Sequence, residues 1–220
     1  MSQLGVIDSF WQDFKESGKP TQKQRYVEKN SPEGIMKFIN IGGGGRMGTT
    51  LEEFARHKFK NLSKRDKKKK GGKKNKKNKD TDSSDGDSSD GETGYDQIIH
   101  VGDKKVYIEQ KSSGHWGDDD YKWQHLEVKH KWHMLLLCGI DYNDIKFWVM
   151  NKATFNFLVT KGKITNQGEK NGKSSEGMWF WCSDVKDYLI EVKTQEDLLQ
   201  FASSRLEEII EPNLPFANST

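Results

Sequence analysis

A chain of 220 residues is long enough to bury one real core, and no apolar run approaches the roughly 20 residues of a membrane helix. The formal charge of +3, from 36 Lys and Arg against 33 Asp and Glu, says little by itself about nucleic acid, so the placement of charge matters more than its sum. Cys138 and Cys182 lie in the apolar runs "LLLCGI" and "MWFWCS" and read as buried free thiols of a reducing compartment. With no signal-peptide pattern at the start, the expectation is a soluble intracellular protein, cytoplasmic or, in a eukaryotic or viral setting, nuclear.

In chain order, Leu4, Ile7, Phe10, Trp11 and Phe14 recur at helical spacing and predict a short amphipathic helix. "SPEGIMKFIN" predicts a second, with Ser31 as N-cap and Pro32 at its first position. "GGGGR" at 42 to 46 lacks the Gly-Lys-Ser/Thr ending of a phosphate loop and reads as a hinge that ends this helix. A third helix is expected from Thr49 or Thr50 as cap, with Leu51, Phe54, Ala55, Lys58, Phe59 and Leu62 on one arc. Glu52 falls on the shoulder of that arc and Glu53 points almost directly away.

Residues 64 to 92 contain no apolar side chain and cannot offset the entropy of ordering, so a disordered insertion is expected, basic first and then rich in Asp and Ser. Its lysine block, 67 to 79, suits non-specific DNA association or a nuclear address, and Ser84 and Ser89 suit an acidophilic kinase. Beyond it, "YDQIIHV", "KVYIEQKSS", "MLLLCGIDY", "DIKFWVM" and "GMWFWCS" predict strands, with a helix at about 121 to 133, another at "ATFNFLV", and an amphipathic C-terminal helix burying Leu198, Leu199, Ala202, Leu206 and Ile209. The organisation read from this is N-terminal helices to residue 63, an insertion over 64–93, and an α/β core over 94–220 with a mixed sheet flanked by helices.

The chemistry gathers in "GYDQIIHVGDKKVYIEQKSS", residues 94 to 113. In a strand, Glu109 and Lys111 share a face, and a hairpin turning at Gly102-Asp103 sets Asp96 near them, because 96 and 109 are close to symmetric about that turn. Two carboxylates at such a distance repel unless a cation joins them; hard oxygen ligands suit Mg²⁺, and an adjacent ammonium suits hydrolysis of a phosphodiester. By strand parity Gln110 faces elsewhere, and Asp103 belongs to the turn.

These residues, "YD" at Tyr95 and Asp96, "IEQK" at Ile108 to Lys111, and "LEE" on the upstream helix, resemble the PD-(D/E)xK nuclease superfamily and, within it, the type II restriction endonucleases. The resemblance implies a restriction-endonuclease-like mixed sheet core, metal binding by Asp96 and Glu109, and activation of the attacking water by Lys111. It also implies support of the metal by a helical acid, for which Glu52 is favoured over Glu53, and a contribution from Gln124 on a following helix. The implied cofactor is Mg²⁺, and the implied partners are double-stranded DNA, a second copy of the chain in a homodimer, and a cognate DNA methyltransferase. Departures from the family pattern are Tyr in place of Pro before Asp96 and the charged insertion. Lys122, Lys129 and Lys131, beside His125, His130 and His133, are candidates for lying along phosphates; Asn166, Gln167 and Lys170, in the polar loop 161–177, are candidates for reading bases. The alternatives are a repair or recombination nuclease of the same fold and a non-catalytic basic DNA-binding protein.

Overall fold

The computed structural model describes residues 44–65, 94–116, 120–140, 144–170, 173–174, 177–204 and 206, together with Ser9, Gln12 and Glu16, which are helical and exposed. The rest of the first two predicted helices, the expected insertion over 66–93, and Ile209 lie outside the described residues.

Helix α1 spans Gly44–Lys58. Leu51, Phe54 and Ala55 are buried one turn apart, and Phe59 and Leu62 continue the apolar line past the end of the helix. The helix therefore starts earlier than expected. Gly44 and Gly45 lie within it, so they are neither hinge nor helix stop, and Thr49 and Thr50 are interior residues rather than caps. Burial of one face outweighs the roughly 1 kcal/mol per residue by which glycine disfavours helix. Past α1, strand β1 (Leu62–Lys64) runs antiparallel to β2 (Gln97–Val101), which moves the start of the expected insertion beyond Lys64.

The mixed α/β domain is built on a mostly antiparallel sheet. β2 turns at Gly102, whose φ is +55°, into the long strand β3 (Lys104–Trp116). β4 (Asp120–Leu126) returns from the far end of β3, while β5 (Met134–Ile140) lies parallel to β3 and β6 (Ile145–Asn151) antiparallel to β5. Helix α2 (Lys152–Thr160) follows, its first turn capped by the Asn151 side chain accepting from the Thr154 amide at 2.8 Å. The segment read as a polar loop carries three short strands, β7 (Thr165–Asn166), β8 (Glu169–Lys170) and β9 (Lys173–Ser174). Then come β10 (Met178–Trp181), helix α3 (Cys182–Val185), β11 (Ile190–Glu191) and helix α4 (Gln195–Ser204). Among the described residues nine strands join in one sheet, ordered β11-β6-β5-β3-β4-β10-β7, with β2 and then β1 on β3.

The helix expected over 121 to 133 is a strand and a loop. Tyr121 and Trp123 are buried while Lys122 and Gln124 are partly exposed, a period of two that "YKWQHL" already carries and that no helical arc accommodates. His125, with φ of +59°, breaks the alternation, and Lys129 and Lys131 are exposed on the loop that follows. In α4, Leu198 and Ala202 are buried as expected, but Leu199 is 37% exposed and Phe201 takes the inward place. The larger ring occupies the arc when both cannot.

The two faces of the sheet hold two cores. One joins α1 and α4 to β2, β3, β5 and β6, with Phe54, Phe59 and Phe147 packed ring to ring. The other joins α2 and α3 to β4 and β10 around Trp123, whose indole N–H donates to the Cys138 carbonyl at 3.1 Å. Each of these fully buried rings contributes about 1.5–3 kcal/mol by leaving water. Cys138 is buried and Cys182 half-buried, and both are free thiols as expected. No described helix is long and apolar enough to cross a membrane.

Candidate active site

The register of the first hairpin decides what meets at its end. Gln97 pairs with Ile108, so Asp96 stands opposite Glu109, one residue beyond the last ladder pair. The Asp96 N–H donates to the Ile108 carbonyl and its Oδ2 accepts from the Gln110 N–H, both at 2.9 Å. Asp96 thus continues the ladder with its side chain where the backbone of β2 has turned away. Tyr95 holds the preceding step: its ring stacks on that of Tyr107 at 4.4 Å, which in turn stacks on His133 at 4.8 Å.

β3 changes partner at this point. β2 covers its first part, Lys104–Ile108, and β4 its last residues, His115 and Trp116. Between them, along 109–114, the Asp96 carboxylate meets the Gln110 N–H, and Ser113 Oγ accepts from the Lys122 N–H at 3.0 Å. Glu109 and Lys111 project from this split, and Lys111 Nζ bonds Glu109 Oε1 at 2.5 Å. Both are largely buried.

Burial, reinforced by the charge of Asp96, pushes the Glu109 carboxyl up to about 7 even though Lys111 pulls it down. For Lys111, burial opposes the charged form, but Glu109, Asp96 and Glu52 together outweigh it and hold its pKa above the ordinary lysine value. The lysine is therefore an ammonium at neutral pH.

Glu52 enters the same field from α1. Burial first, and then the Asp96 charge, push its carboxyl up to about 7, against the attraction of Arg56 and Lys111. Arg56, one turn on, lies 3.9 Å from it. Glu53 is engaged differently, with Lys64 at 3.2 Å, and is less exposed than its helical phase suggests because β1 folds back over it. Glu52 is thus coupled to both Asp96 and Glu109.

The donor chemistry of this cluster suits a small hard cation. Three carboxylates influence one another, and two of them are held near neutral protonation by burial and mutual repulsion, a cost that a divalent ion would relieve. As they stand, Glu109 is turned onto Lys111 and Asp96 onto a backbone N–H, and among the described residues no three His, Cys, Asp or Glu side chains already form a ligand cluster.

Other expected residues fall as follows. Gln124 is on β4 rather than a helix, and its side-chain carbonyl accepts from the Gln167 amide. Asn166 and Gln167 lie on and just after β7, Asn166 accepting at its backbone carbonyl from the Trp179 indole at 3.2 Å; Lys170 is on β8. Lys122 projects from β4 against two tryptophans, at 4.2 Å from the Trp179 centroid and 5.3 Å from that of Trp181. His133 is structural: its ring Nδ1 accepts from the Tyr107 backbone N–H at 3.1 Å, while the His133 backbone N–H donates to the Tyr107 carbonyl at 2.8 Å.

Three features escaped the sequence reading. Arg56, partner of Glu52, was legible as its i+4 neighbour. Gln110, set aside by parity, presents the backbone N–H that fixes Asp96, while its side chain accepts from Gln97 Nε2 behind the site. Lys152 donates to the His130 carbonyl and lies 4.5 Å from the Trp132 centroid, contacts made only by long-range folding.

No family model, curated protein or solved structure matches this chain.

Proposed function

We propose that this chain is a Mg²⁺-dependent endodeoxyribonuclease with a restriction-endonuclease-like core, acting on double-stranded DNA. One observation carries the reading: Asp96, Glu109 and Lys111 meet where β3 changes partner, and Glu52 is electrostatically coupled to all three. A solvated hairpin end has no reason to bury a carboxylate and an ammonium together against the roughly several kcal/mol that each charge costs to desolvate.

Asp96, Glu109 and Glu52 are the groups that would hold the cation, which when bound polarises the scissile phosphate and acidifies a water. Lys111, kept charged by its neighbours, orients the attacking water and offsets negative charge developing on the phosphoryl oxygens. Arg56 limits the repulsion at Glu52, and the Gln110 N–H fixes the Asp96 carboxylate. Cutting both strands of a duplex calls for two such sites, which makes a homodimer the expected working form.

The test is incubation of supercoiled and linear duplex DNA with the purified full chain, with and without Mg²⁺, beside Lys111→Ala. Mg²⁺-dependent cutting by wild type, lowered at least about 100-fold in the variant, is expected. Equal cutting by both proteins, or by neither, refutes the assignment. Discrete bands from plain duplex favour restriction; cutting confined to branches or damage favours a repair role.

A further inference from the structure

β4 and β10 build a second surface from the strand that carries Glu109 and Lys111. The link is short: the Lys122 N–H bonds Ser113 Oγ, and Ser113 is two residues beyond Lys111, about 7 Å along an extended strand. Across β10 from Lys122 stand Trp179 and Trp181, two residues apart and therefore on one face, their rings nearly perpendicular at 81° with centroids 6.2 Å apart.

Trp179 is placed there by design of the backbone. The ladder between β10 and β4 shifts register here: Met178 pairs with Leu126 but Phe180 with Trp123, so Gln124 and His125 together oppose Trp179, and the extra residue lies in β4, at His125 with φ of +59°, while β10 keeps its alternation. Gly177, with φ of +75°, lets the entry to β10 lie tight against β4, where a Cβ would come 2.9 Å from the Leu126 carbonyl. The indole N–H is then fixed on the Asn166 carbonyl, and the Lys122 ammonium sits over the ring.

That ring also walls a cleft of about 260 Å³, shared with Lys163, Thr165 and Asp184. A fixed aromatic wall and a cation held at its face together suit a planar heterocycle joined to an anion. The core of this domain does not need them, since Trp179 and Trp181 are both only partly buried.

We propose that this face binds a DNA base that has left the stack, holding the base against Trp179 and its phosphate at Lys122. The choice of DNA rests on the nuclease reading above; the stacking surface itself rests on Trp179, Trp181 and Lys122. Aromatic rings interleaved with cations are how strands with accessible bases are held, and each stacked base is lost with its ring.

The experiment measures binding without cleavage. A fluorescein-labelled single-stranded dT 12-mer and an abasic strand of equal length and charge are titrated with the full chain in EDTA at 150 mM salt, and anisotropy is read. Wild type should bind the base-bearing strand about 5- to 150-fold more tightly than the abasic one, Trp179→Ala should lose that difference, and Trp179→Phe should keep most of it. Equal affinity of wild type for the two strands overturns the proposal, and this comparison needs no variant to fold. A Trp179→Ala protein that folds, by circular dichroism, and retains the full difference overturns it too. Because no divalent metal is present, a chain that stacks bases but never cuts DNA retains this site while losing the nuclease reading, and the reverse outcome is equally distinct.

Discussion

Replacing Glu52 with glutamine should make the protein more stable and less active, with the gain in stability confined to neutral and alkaline pH. The folded-state pKa of Glu52 is raised from 4.5 to about 7, so the native chain holds this proton more tightly than the unfolded chain. Its favourable contribution is therefore fully present below about pH 4.5 and is lost as pH rises through about 7. The interval from 4.5 to about 7, at ~1.4 kcal/mol per pH unit, corresponds to ~3 kcal/mol. Solvent at the 28% exposed side chain screens this to ~2 kcal/mol. Glutamine keeps the shape and never ionises, so Glu52→Gln should match wild type near pH 4.5 and exceed it by ~2 kcal/mol at pH 8.5. Urea unfolding followed by tryptophan fluorescence at pH 4.5, 6, 7 and 8.5 reads this directly. With a slope of ~2 kcal/mol per molar urea, the midpoint should move up by ~1 M at pH 8.5. A variant less stable than wild type at pH 8.5, or a difference independent of pH, would refute the claim that Glu52 is held ionised at a cost. Under the proposed function, Mg²⁺-dependent cutting falls in the same variant, the exchange of stability for activity expected of a strained site.

Two further outcomes follow from packing. Gly94 has φ of +43°, and a Cβ there would come within 2.3 Å of the His130 ring, so Gly94→Ala should cost ~2–4 kcal/mol, with part recovered in the double variant Gly94→Ala/His130→Ala, as read by urea unfolding. Cys138 is fully buried and its thiol is pushed up to about 12 by burial, so in a Cys182→Ser protein a disulfide-exchange reagent at pH 8 should label nothing until urea unfolds the chain; rapid labelling of the native protein would contradict the packing of β5.

The hairpin turn at Gly102 and the convergence of Asp96 with Glu109 and Lys111 follow from alternation and symmetry about a turn, which are local properties of a sequence. Glu52 was legible for the same reason, as a position on a helical arc. The Glu53–Lys64 pair was not, because it depends on β1 folding back along β2, a contact between segments separated by the charged tract. The region from 121 to 133 shows the limit from the other side. Alternation is present in "YKWQHL", where a helix was expected, and pairing of β4 with β3 and β10 makes Asp120–Leu126 a strand. Trp179 and Trp181 lie in the predicted strand "GMWFWCS", which assigns them no role; their place beside Lys122 depends on the pairing of β10 with β4, which only the tertiary structure decides. Sequence by itself determined which residues carry charge, ring or turn, and how neighbours along the chain share a face. Tertiary structure decided how strongly those carboxylates feel one another, because burial, which spacing along the chain does not reveal, raises the cost of their charge.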